Sequence, residues 1–253
     1  MKTALTIAGS DPTGGAGLQA DLKVFKSFGV HGFSVVSSIT AQNTRGVDSI
    51  FPVERDAFQK QLRVLLSDIR PDALKTGMLF SKWSVEITAG IIHEFSLKNL
   101  VIDPVSVSSS GMSLMEDGSL DMVREKLFPL SKVITPNIYE ASVLTGIMIE
   151  NKGQMEEAAV ALKGMGPDVV VITGGHLDNM ALDLYYDGEF HTVESEKIRG
   201  EYHGTGCAFS AAVTALLALD RSPLEAVRRA KEFINNSIKK ASHPGSGMGL
   251  LNL

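Results

Sequence analysis

The sequence predicts an α/β protein in which helices cover both faces of a mostly parallel sheet. Short apolar runs of strand length alternate with longer segments whose apolar residues recur at helical spacing. Several of these runs end directly in a polar residue or a glycine, and open parallel sheets bind ligands beyond the carboxyl ends of their strands. The turn signal Asp187-Gly188 between two further runs adds a small antiparallel edge. We therefore expect a shared binding site at one end of the strands.

Strands are predicted where apolar and β-branched residues run together and a turn follows. These segments are Ala4–Gly9, Phe33–Ile39, Val47–Phe51 as a short edge piece, Ala73–Thr76, Leu100–Ile102, Val133–Thr135, Val169–Thr173, Ala181–Tyr186 and Glu189–Val193. Helices are predicted where apolar residues recur every three or four positions. These are the segment carrying Leu18, Leu22 and Phe25 before the cap Gly29, then Glu54–Ser67, Trp83–Phe95, Ile138–Thr145, Gln154–Lys163, Ala208–Leu219 and Ser222 to about Lys240.

Composition and charge restrict the class of protein. The 253 residues carry 24 Lys and Arg against 29 Asp and Glu, and the scattered cations do not favour nucleic acid as a partner. One cysteine cannot form an internal disulfide, and the first apolar run, Ala4–Ala8, is too short for a signal peptide or a membrane span. No repeat or linker divides the chain. We expect one cytoplasmic domain over residues 1–253 that does not contact membranes.

The stretch His203-Gly204-Thr205-Gly206-Cys207 precedes an Ala- and Leu-rich run that favours a helix. Two glycines let the backbone turn tightly and approach a ligand, so the stretch predicts an anion site at a helix N-terminus. Cys207 is the only cysteine, and a thiol at such a position is expected to have a lowered pKa. The alternative is a plain glycine turn in which Cys207 packs as a small apolar residue.

Two acidic positions suggest a metal and phosphate site. Asn137 and Glu140 lie three residues apart at a predicted helix start, so both can face one ligand, and their oxygens suit Mg²⁺. Taken alone, the pair is better explained as an N-cap with Glu140 completing a capping box. Asp103, which follows a buried strand, can likewise be a turn residue before proline. An anion loop in the same chain favours the metal and phosphate interpretation of both.

Other polar residues have no clear role from pattern alone. Composition places Asp21 and Gln42 at the surface or at a cap. The stretch Lys75–Leu79 fits strand-end packing, with Met78 filling a gap or bounding a flat apolar ligand. His176 and His203 are assigned no role.

Two common nucleotide motifs are excluded. The stretch Gly15–Ala20 matches the dinucleotide fingerprint, but the next strand ends near Gln42 and Asn43 instead of an acidic residue. The chain has no Walker A motif.

Six separated stretches, in order along the chain, resemble the hydroxymethylpyrimidine/phosphomethylpyrimidine kinases of thiamine biosynthesis, which belong to the ribokinase-like superfamily. They are Ala8–Lys23, Ala41–Gly46, Lys75–Leu79, Asp103–Val105, Thr135–Glu140 and His203–Cys207. The resemblance implies a three-layer α/β/α ribokinase-like fold and commonly a homodimer. It also implies ATP-dependent phosphorylation of the pyrimidine's hydroxymethyl group, and then of the monophosphate, to supply thiamine diphosphate biosynthesis.

The resemblance implies roles for residues on the substrate side. Asp21 would hold the hydroxymethyl group, and Gln42 the pyrimidine edge. Gly9 and Met78 would line the ring pocket.

On the phosphate side, the resemblance implies that Asp103, Asn137, Glu140 and Thr173 lie near ATP, with Asp103 and Glu140 at Mg²⁺. The backbone of Gly204, Thr205 and Gly206 would form the anion hole for the transferring phosphoryl group. Cys207 would stand where many sugar kinases of the superfamily carry an aspartate base, and as a thiolate it could accept the substrate proton.

The chain departs from the family pattern at two places. The loop after Asp103 often contains methionine and lysine, but here it is serine-rich and includes Ser109. Thr173 stands where a lysine often precedes Gly-Gly-His. Hydroxyl groups donate hydrogen bonds but cannot neutralise phosphate charge. We therefore expect the first phosphorylation to be retained and the second to be weak.

Two alternatives stay open from the sequence. A pyridoxal or pyridoxine kinase would use the same superfamily fold on another flat ring that carries a hydroxymethyl group. Gln42 together with Asp21 favours the aminopyrimidine. A non-catalytic pyrimidine-binding homologue would keep the pocket without the chemistry, and the intact Gly204–Cys207 turn argues against it.

Overall fold

The computed structural model describes residues 1–108, 111–174 and 180–253, with the backbone alone for Met180 and Ala181. The strands are β1 (Thr3–Ser10), β2 (His31–Asn43), β3 (Gly46–Pro52), β4 (Ala73–Thr76), β5 (Leu100–Ile102), β6 (Val133–Ile134), β7 (Val170–Gly174), β8 (Met180–Tyr186), β9 (Phe190–Glu196), β10 (Tyr202–His203) and β11 (Gly249–Leu250). Strands β1 to β9 form one sheet in the order β3-β2-β1-β4-β5-β6-β7-β8-β9, and β10 pairs with β11.

The helices follow the predicted alternation with strands. They are α1 (Gly17–Ser27), α2 (Arg55–Asp68), α3 (Lys82–Glu94), α4 (Ser119–Met122), α5 (Ile138–Thr145), α6 (Lys152–Lys163), α7 (Thr205–Ala218) and α8 (Pro223–Lys239). A π-helical turn (Val123–Leu127) and a 3₁₀ turn (Phe128–Leu130) continue α4. The sequence predicted no element between residues 103 and 132, because that segment has no clear apolar period. No helix in the described ranges combines the length and apolar character needed to cross a bilayer.

Helices pack on both faces of the sheet and create two cores. Along β1, Ala4 belongs to the core on one face while Leu5 and Ile7 belong to the other, as the alternation of strand side chains requires. Helices α1, α7 and α8 cover the first face, and α2, α3, α5 and α6 cover the second. Most residues of the central strands are apolar because both faces are buried, and Thr6 and Lys75 are buried polar exceptions. The predicted three-layer α/β/α fold is confirmed.

The sheet edges differ from the prediction in two ways. The centre is parallel, but antiparallel pairs occur at both edges, β2 with β3 and β7 with β8 and then β9, where one small edge was expected. Strand β2 also continues to Asn43, so Gln42 lies within a strand and pairs with Val47 on β3. This extension alternates polar residues with others, so it contains no continuous apolar run that would predict a strand.

Parallel strands deliver the predicted polar residues to one end of the sheet. β1 pairs with β2 on one side and with β4 on the other. The order of the strands therefore reverses direction at β1. Such a switch point opens a crevice at the carboxyl ends of the strands. Asp11, Met78, Asp103 and Asn137 all follow strands at this end.

Candidate active site

Two glycine-rich loops meet at the carboxyl end of β1, and Asp11 connects them. Its carboxylate accepts hydrogen bonds from the amides of Thr13 and Ala16, each at 2.8 Å. The same carboxylate lies 3.0 Å from Nε2 of His203, which precedes α7. Asp11 therefore fixes the loop before α1 against the turn before α7.

The predicted anion turn begins α7. Gly204 is the N-cap with a φ of +80°, and a side chain there would overlap the carbonyl oxygen of Gly15. The backbone conformation and the close approach both require glycine. Among the described residues no side chain caps this helix, Thr205 is partly exposed, and Gly206 is exposed. First-turn amides without intrahelical acceptors, together with the helix dipole, can bind an anion.

The Cys207 thiol is not the activated thiolate that its place at a helix N-terminus predicts. The residue is partly exposed, yet burial of its surroundings raises the thiol pKa to about 12, and the carboxylates of Asp103 and Asp21 contribute to the rise. The Lys75 ammonium and the Gly17 amide act in the opposite direction but do not compensate. The expected lowered pKa is therefore wrong, and Cys207 carries a thiol at neutral pH.

Asp21 is buried in the protein, not at the surface or at a helix cap. Its side chain and that of Lys75 are 0% exposed, and Lys75 Nζ lies 2.8 Å from Asp21 Oδ1. Thr6 Oγ1 donates to Asp21 Oδ2 at 2.6 Å. Because both carboxylate oxygens already have protein partners, this geometry does not present Asp21 to a substrate hydroxymethyl group. Position 21 lies on the apolar face of α1 with Leu18 and Phe25, so helical spacing carried the signal of burial.

Lys75 lies at the centre of a buried polar cluster that sequence reasoning missed. Its Nζ is 3.3 Å from the Cys207 carbonyl and 4.0 Å from Asp103 Oδ2. Burial lowers the pKa of Lys75, but the carboxylates of Asp21 and Asp103 raise it above its usual value, so the lysine is protonated. A lysine inside a four-residue strand that is buried throughout was the available signal, because a buried ammonium requires a partner.

Asp103 joins this cluster to α7. It is 5% exposed, and Ser210 Oγ donates to its Oδ2 at 3.0 Å. Burial and the Asp21 charge hold the pKa of Asp103 above its usual value, although Lys75, Ser210 and the Cys207 thiol act in the opposite direction. Asp103 therefore has a specific set of donors, which a simple turn residue does not need.

Asn137 and Glu140 form the capping box that the isolated motif predicts. Asn137 Oδ1 accepts from the Glu140 amide at 2.9 Å, and Glu140 Oε2 accepts from the Asn137 amide at 3.0 Å. Glu140 is nevertheless 3% exposed, and burial, aided by the Asp103 charge, raises its pKa to about 8. Thr173 pairs with Asn137 in a parallel bridge, so the predicted phosphate-side residues lie together.

The carboxylates of Asp103 and Glu140 could bind a divalent cation, but the described residues do not provide a complete set of ligands for one. Asp103 and Glu140 are two buried carboxylates, and the Asp103 charge raises the pKa of Glu140. The buried hydroxyl of Ser106 beside Glu140 has no protein partner among the described residues. Within those residues no group of three or more His, Cys, Asp or Glu is arranged to hold a metal ion. Mg²⁺ typically takes one or two carboxylates together with substrate phosphates and water, so this pair is compatible with it.

The predicted ring-pocket residues Gly9 and Met78 lie at the carboxyl ends of β1 and β4. A Cβ at Gly9 would come 2.5 Å from Met78 Cε, so glycine makes room for the methionine there. Ser37 Oγ donates to the Met78 carbonyl at 2.6 Å and fixes the backbone of that loop. Gln42 is half-buried, with its amide 3.2 Å from His203 Nε2 and 3.0 Å from Thr40 Oγ1.

The C-terminal segment packs beside this pocket. Strand β11 pairs with β10, and the Met248 amide donates to the Thr44 carbonyl at 2.8 Å. Arg45 Nε donates to Ser246 Oγ at 2.8 Å. Ser109, Gly175 and His176, which the sequence analysis singled out, lie outside the described residues.

Comparison with known proteins places the chain in a family. The sequence model described as phosphomethylpyrimidine kinase matches residues 11–252. A Bacillus subtilis hydroxymethylpyrimidine/phosphomethylpyrimidine kinase is 41% identical over 253 residues, which covers 98% of this chain and 93% of the relative. The thiamine biosynthetic bifunctional enzyme of Arabidopsis thaliana is 44% identical over 251 residues, and the match covers 96% of this chain and 48% of that larger protein.

Solved structures agree with the sequence matches. The ADP complex of Bacillus subtilis pyridoxal kinase superposes with a TM-score of 0.91 at 42% identity, covering 99% of this chain and 96% of that one. The pyridoxal kinase of Staphylococcus aureus, in complex with AMP-PCP and pyridoxal, gives a TM-score of 0.92 at 35% identity, covering 100% of this chain and 93% of that one. With a family match over residues 11–252 and the α/β/α fold around its motifs, the chain belongs to the phosphomethylpyrimidine kinase family.

Proposed function

We propose that this chain is an ATP-dependent kinase that phosphorylates the hydroxymethyl group of hydroxymethylpyrimidine, and more slowly the resulting monophosphate, to supply thiamine diphosphate biosynthesis. One observation carries the proposal. The start of α7 contacts residues of both predicted halves of the site: Ser210 Oγ donates to Asp103 Oδ2 at 3.0 Å, and Nε2 of His203 lies 3.2 Å from the Gln42 amide. A phosphate donor and a flat alcohol can therefore meet at the start of α7.

The chemistry needs positioning and charge stabilisation more than covalent help, because phosphoryl transfer passes through a loose transition state. The amides of Thr205 and Gly206 are placed to stabilise charge on the transferring group. Mg²⁺, when bound at Asp103 and Glu140, would neutralise phosphate charge. Asn137 and Thr173 keep the backbone of this side in place through their bridge.

Because Cys207 carries a thiol at neutral pH, it cannot accept the substrate proton as a preformed thiolate. The Cys207 thiol interacts with the Asp103 carboxylate and lowers its pKa. We place the alcohol at Cys207, whose sulfur takes the hydroxyl proton while its own proton passes to Asp103. Asp21 supports this path through Lys75, which it holds at 2.8 Å beneath the turn, and not by contact with the alcohol.

A coupled assay with magnesium and ATP tests the function on three acceptors side by side. We expect turnover on hydroxymethylpyrimidine and a kcat/KM at least about ten-fold lower on its monophosphate, because Thr173 supplies no positive charge. Thr173→Lys is the matched variant, and it should raise kcat/KM on the monophosphate while leaving the alcohol unaffected. Equal kinetic constants on both acceptors would refute the effect of the missing charge. No turnover with any acceptor would favour a non-catalytic binding protein.

Pyridoxal phosphorylation is the second candidate, because two similar structures are pyridoxal kinases, one of them with pyridoxal bound. Pyridoxal is the third acceptor in the assay. A kcat/KM for pyridoxal above that for hydroxymethylpyrimidine would make it the main substrate.

We also propose that residues 1–253 form a single cytoplasmic domain that dimerises through the edge formed by β2 and β3. Ile39 and Phe51 face each other across these strands and are 54% and 58% exposed. We propose that the edge of a second copy covers this exposed apolar pair in the dimer. Phe51→Lys should give a monomer in analytical ultracentrifugation, whereas Val64→Lys on α2, where Val64 is 72% exposed, should not. A wild-type monomer would refute the dimer.

A further inference from the structure

The hydrogen bonds around His203 determine which ring nitrogen carries a proton. Nε2 lies 3.0 Å from Asp11 Oδ2. Burial raises the pKa of Asp11, but hydrogen bonds from His203, Thr13 and Ala16 lower it below its usual value, so the group is a carboxylate that can only accept. Nε2 must therefore carry the hydrogen. The buried Nδ1 has no partner among the described residues, which suits an unprotonated nitrogen better than an N–H.

This protonation fixes the orientation of the neighbouring amide. The structure has the Gln42 amide nitrogen 3.2 Å from His203 Nε2 and the amide oxygen accepting from Thr40 Oγ1 at 3.0 Å. Amide oxygen and nitrogen have nearly the same shape, so the hydrogen-bond network assigns them. A protonated Nε2 has no lone pair to accept from an amide N–H, so we reverse the amide and direct the Gln42 oxygen to the Nε2–H, which it shares with Asp11 Oδ2. The amide nitrogen then faces Thr40 Oγ1, which can accept because it donates its own hydrogen to the Ser10 carbonyl at 2.9 Å.

We propose that His203, held by Asp11, is a positioning residue that fixes the Gln42 amide and so determines which substrate ring the pocket prefers. The proposal rests on the proposed function and on the contact between Gln42 and the pyrimidine edge that the family resemblance implies. With its oxygen directed to His203 and one N–H to Thr40, the amide has its second N–H left for an acceptor on the ring. Without His203 the amide can rotate, and the ring loses a preorganised donor.

The test is a double-mutant cycle between His203→Phe and Gln42→Ala, because coupled residues show non-additive effects. In the wild-type background, His203→Phe should raise the Kd and KM for hydroxymethylpyrimidine by about ten-fold, roughly the effect of one lost hydrogen bond. The KM for ATP should stay within about two-fold, and kcat should fall by less than the KM for hydroxymethylpyrimidine rises, because the lost Asp11–His203 contact also holds the turn that begins α7. In the Gln42→Ala background, His203→Phe should change neither the Kd nor the KM for hydroxymethylpyrimidine further. The preference for hydroxymethylpyrimidine over pyridoxal should fall in His203→Phe.

Two controls separate positioning from a structural effect. His203→Gln keeps an N–H donor at about the reach of Nε2 and should restore most of the affinity, while the exposed His93→Phe should behave as wild type. Nitrogen NMR of the unmodified protein should show the His203 proton on Nε2, and a proton on Nδ1 would overturn the proposal without any variant. Equal effects of His203→Phe in both backgrounds, or a fall in kcat larger than the rise in the KM for hydroxymethylpyrimidine, would also overturn it. Calorimetric affinity reports on this inference without turnover, whereas a wild-type protein that neither binds nor phosphorylates the pyrimidine would overturn the proposed function itself.

Discussion

Removing the buried lysine of the site is the most discriminating test of the cluster. Lys75 and Asp21 are both 0% exposed and 2.8 Å apart. At an effective dielectric constant of about 20, two unit charges at about that separation attract by roughly 6 kcal/mol, much of which offsets their desolvation. Lys75→Met removes the attraction but leaves Asp21 in the interior. Breaking a buried pair in this way costs about 3–5 kcal/mol of unfolding free energy.

The pH dependence of this loss identifies its cause. Without Lys75, the buried Asp21 can become neutral by taking up a proton. For a carboxyl with a reference pKa of about 3.9, the free energy of protonation is roughly 4 kcal/mol at pH 7 but only about 1.5 kcal/mol at pH 5. The deficit of Lys75→Met relative to wild type should therefore shrink as the pH falls. The double variant Lys75→Met/Asp21→Asn removes both charges and should recover most of the stability at pH 7.

Urea denaturation followed by circular dichroism gives these free energies. The matched control is Arg63→Met, which breaks a pair of the same 2.8 Å length that lies about half exposed, with side-chain exposures of 46% and 47%. Solvent screens such a pair, so its loss should be hard to resolve. If Lys75→Met is no more destabilising than Arg63→Met, or if the double variant is as unstable as the single one, the buried-pair argument fails.

Three further predictions concern the site. Burial and Asp103 raise the pKa of Glu140 to about 8, above its unfolded value, so its contribution to stability is present below about pH 4.5 and is lost as the pH rises towards 8. Thermal unfolding of Glu140→Gln should not show this loss of stability between about pH 4.5 and 8, and the same loss in the variant would contradict the raised pKa of Glu140. Added Mg²⁺ should stabilise the wild type more at pH 8 than at pH 6. Cys207→Ala should lower kcat about 100-fold with little change in the KM for ATP, as expected for a lost proton acceptor, and unchanged turnover would remove Cys207 from the proton path. Gly204→Ala forces a side chain into a φ of +80° against Gly15 and should abolish turnover and destabilise the fold by about 1–3 kcal/mol, whereas Gly90→Ala in α3, with open space around it, should be neutral or stabilising.

The sequence by itself determined the layers of the fold and the end of the sheet that carries the site. Periodicity is local information: Leu100–Ile102 and Ile138–Thr145 were predicted with the bounds that the structure shows. The capping box at Asn137 and Glu140 was also predictable, because it is formed within one turn of helix. Strand β2 was predicted too short because its extension is stabilised by pairing with β3 and not by an apolar run.

Only the tertiary structure decided the electrostatics of the site. The pKa of Cys207 depends on its burial and on carboxylates contributed by α1 and by the loop after β5, which lie far from it in the chain. The sequence around Cys207 indicates the helix N-terminus, which lowers the thiol pKa. Burial and the distant carboxylates, which raise that pKa by more, depend on the packing of the whole fold. Asp21 and Lys75 are 54 residues apart, and each looked unremarkable alone. Charges interact through space and are desolvated by the whole fold, so their partners become visible only when the strands and helices are assembled.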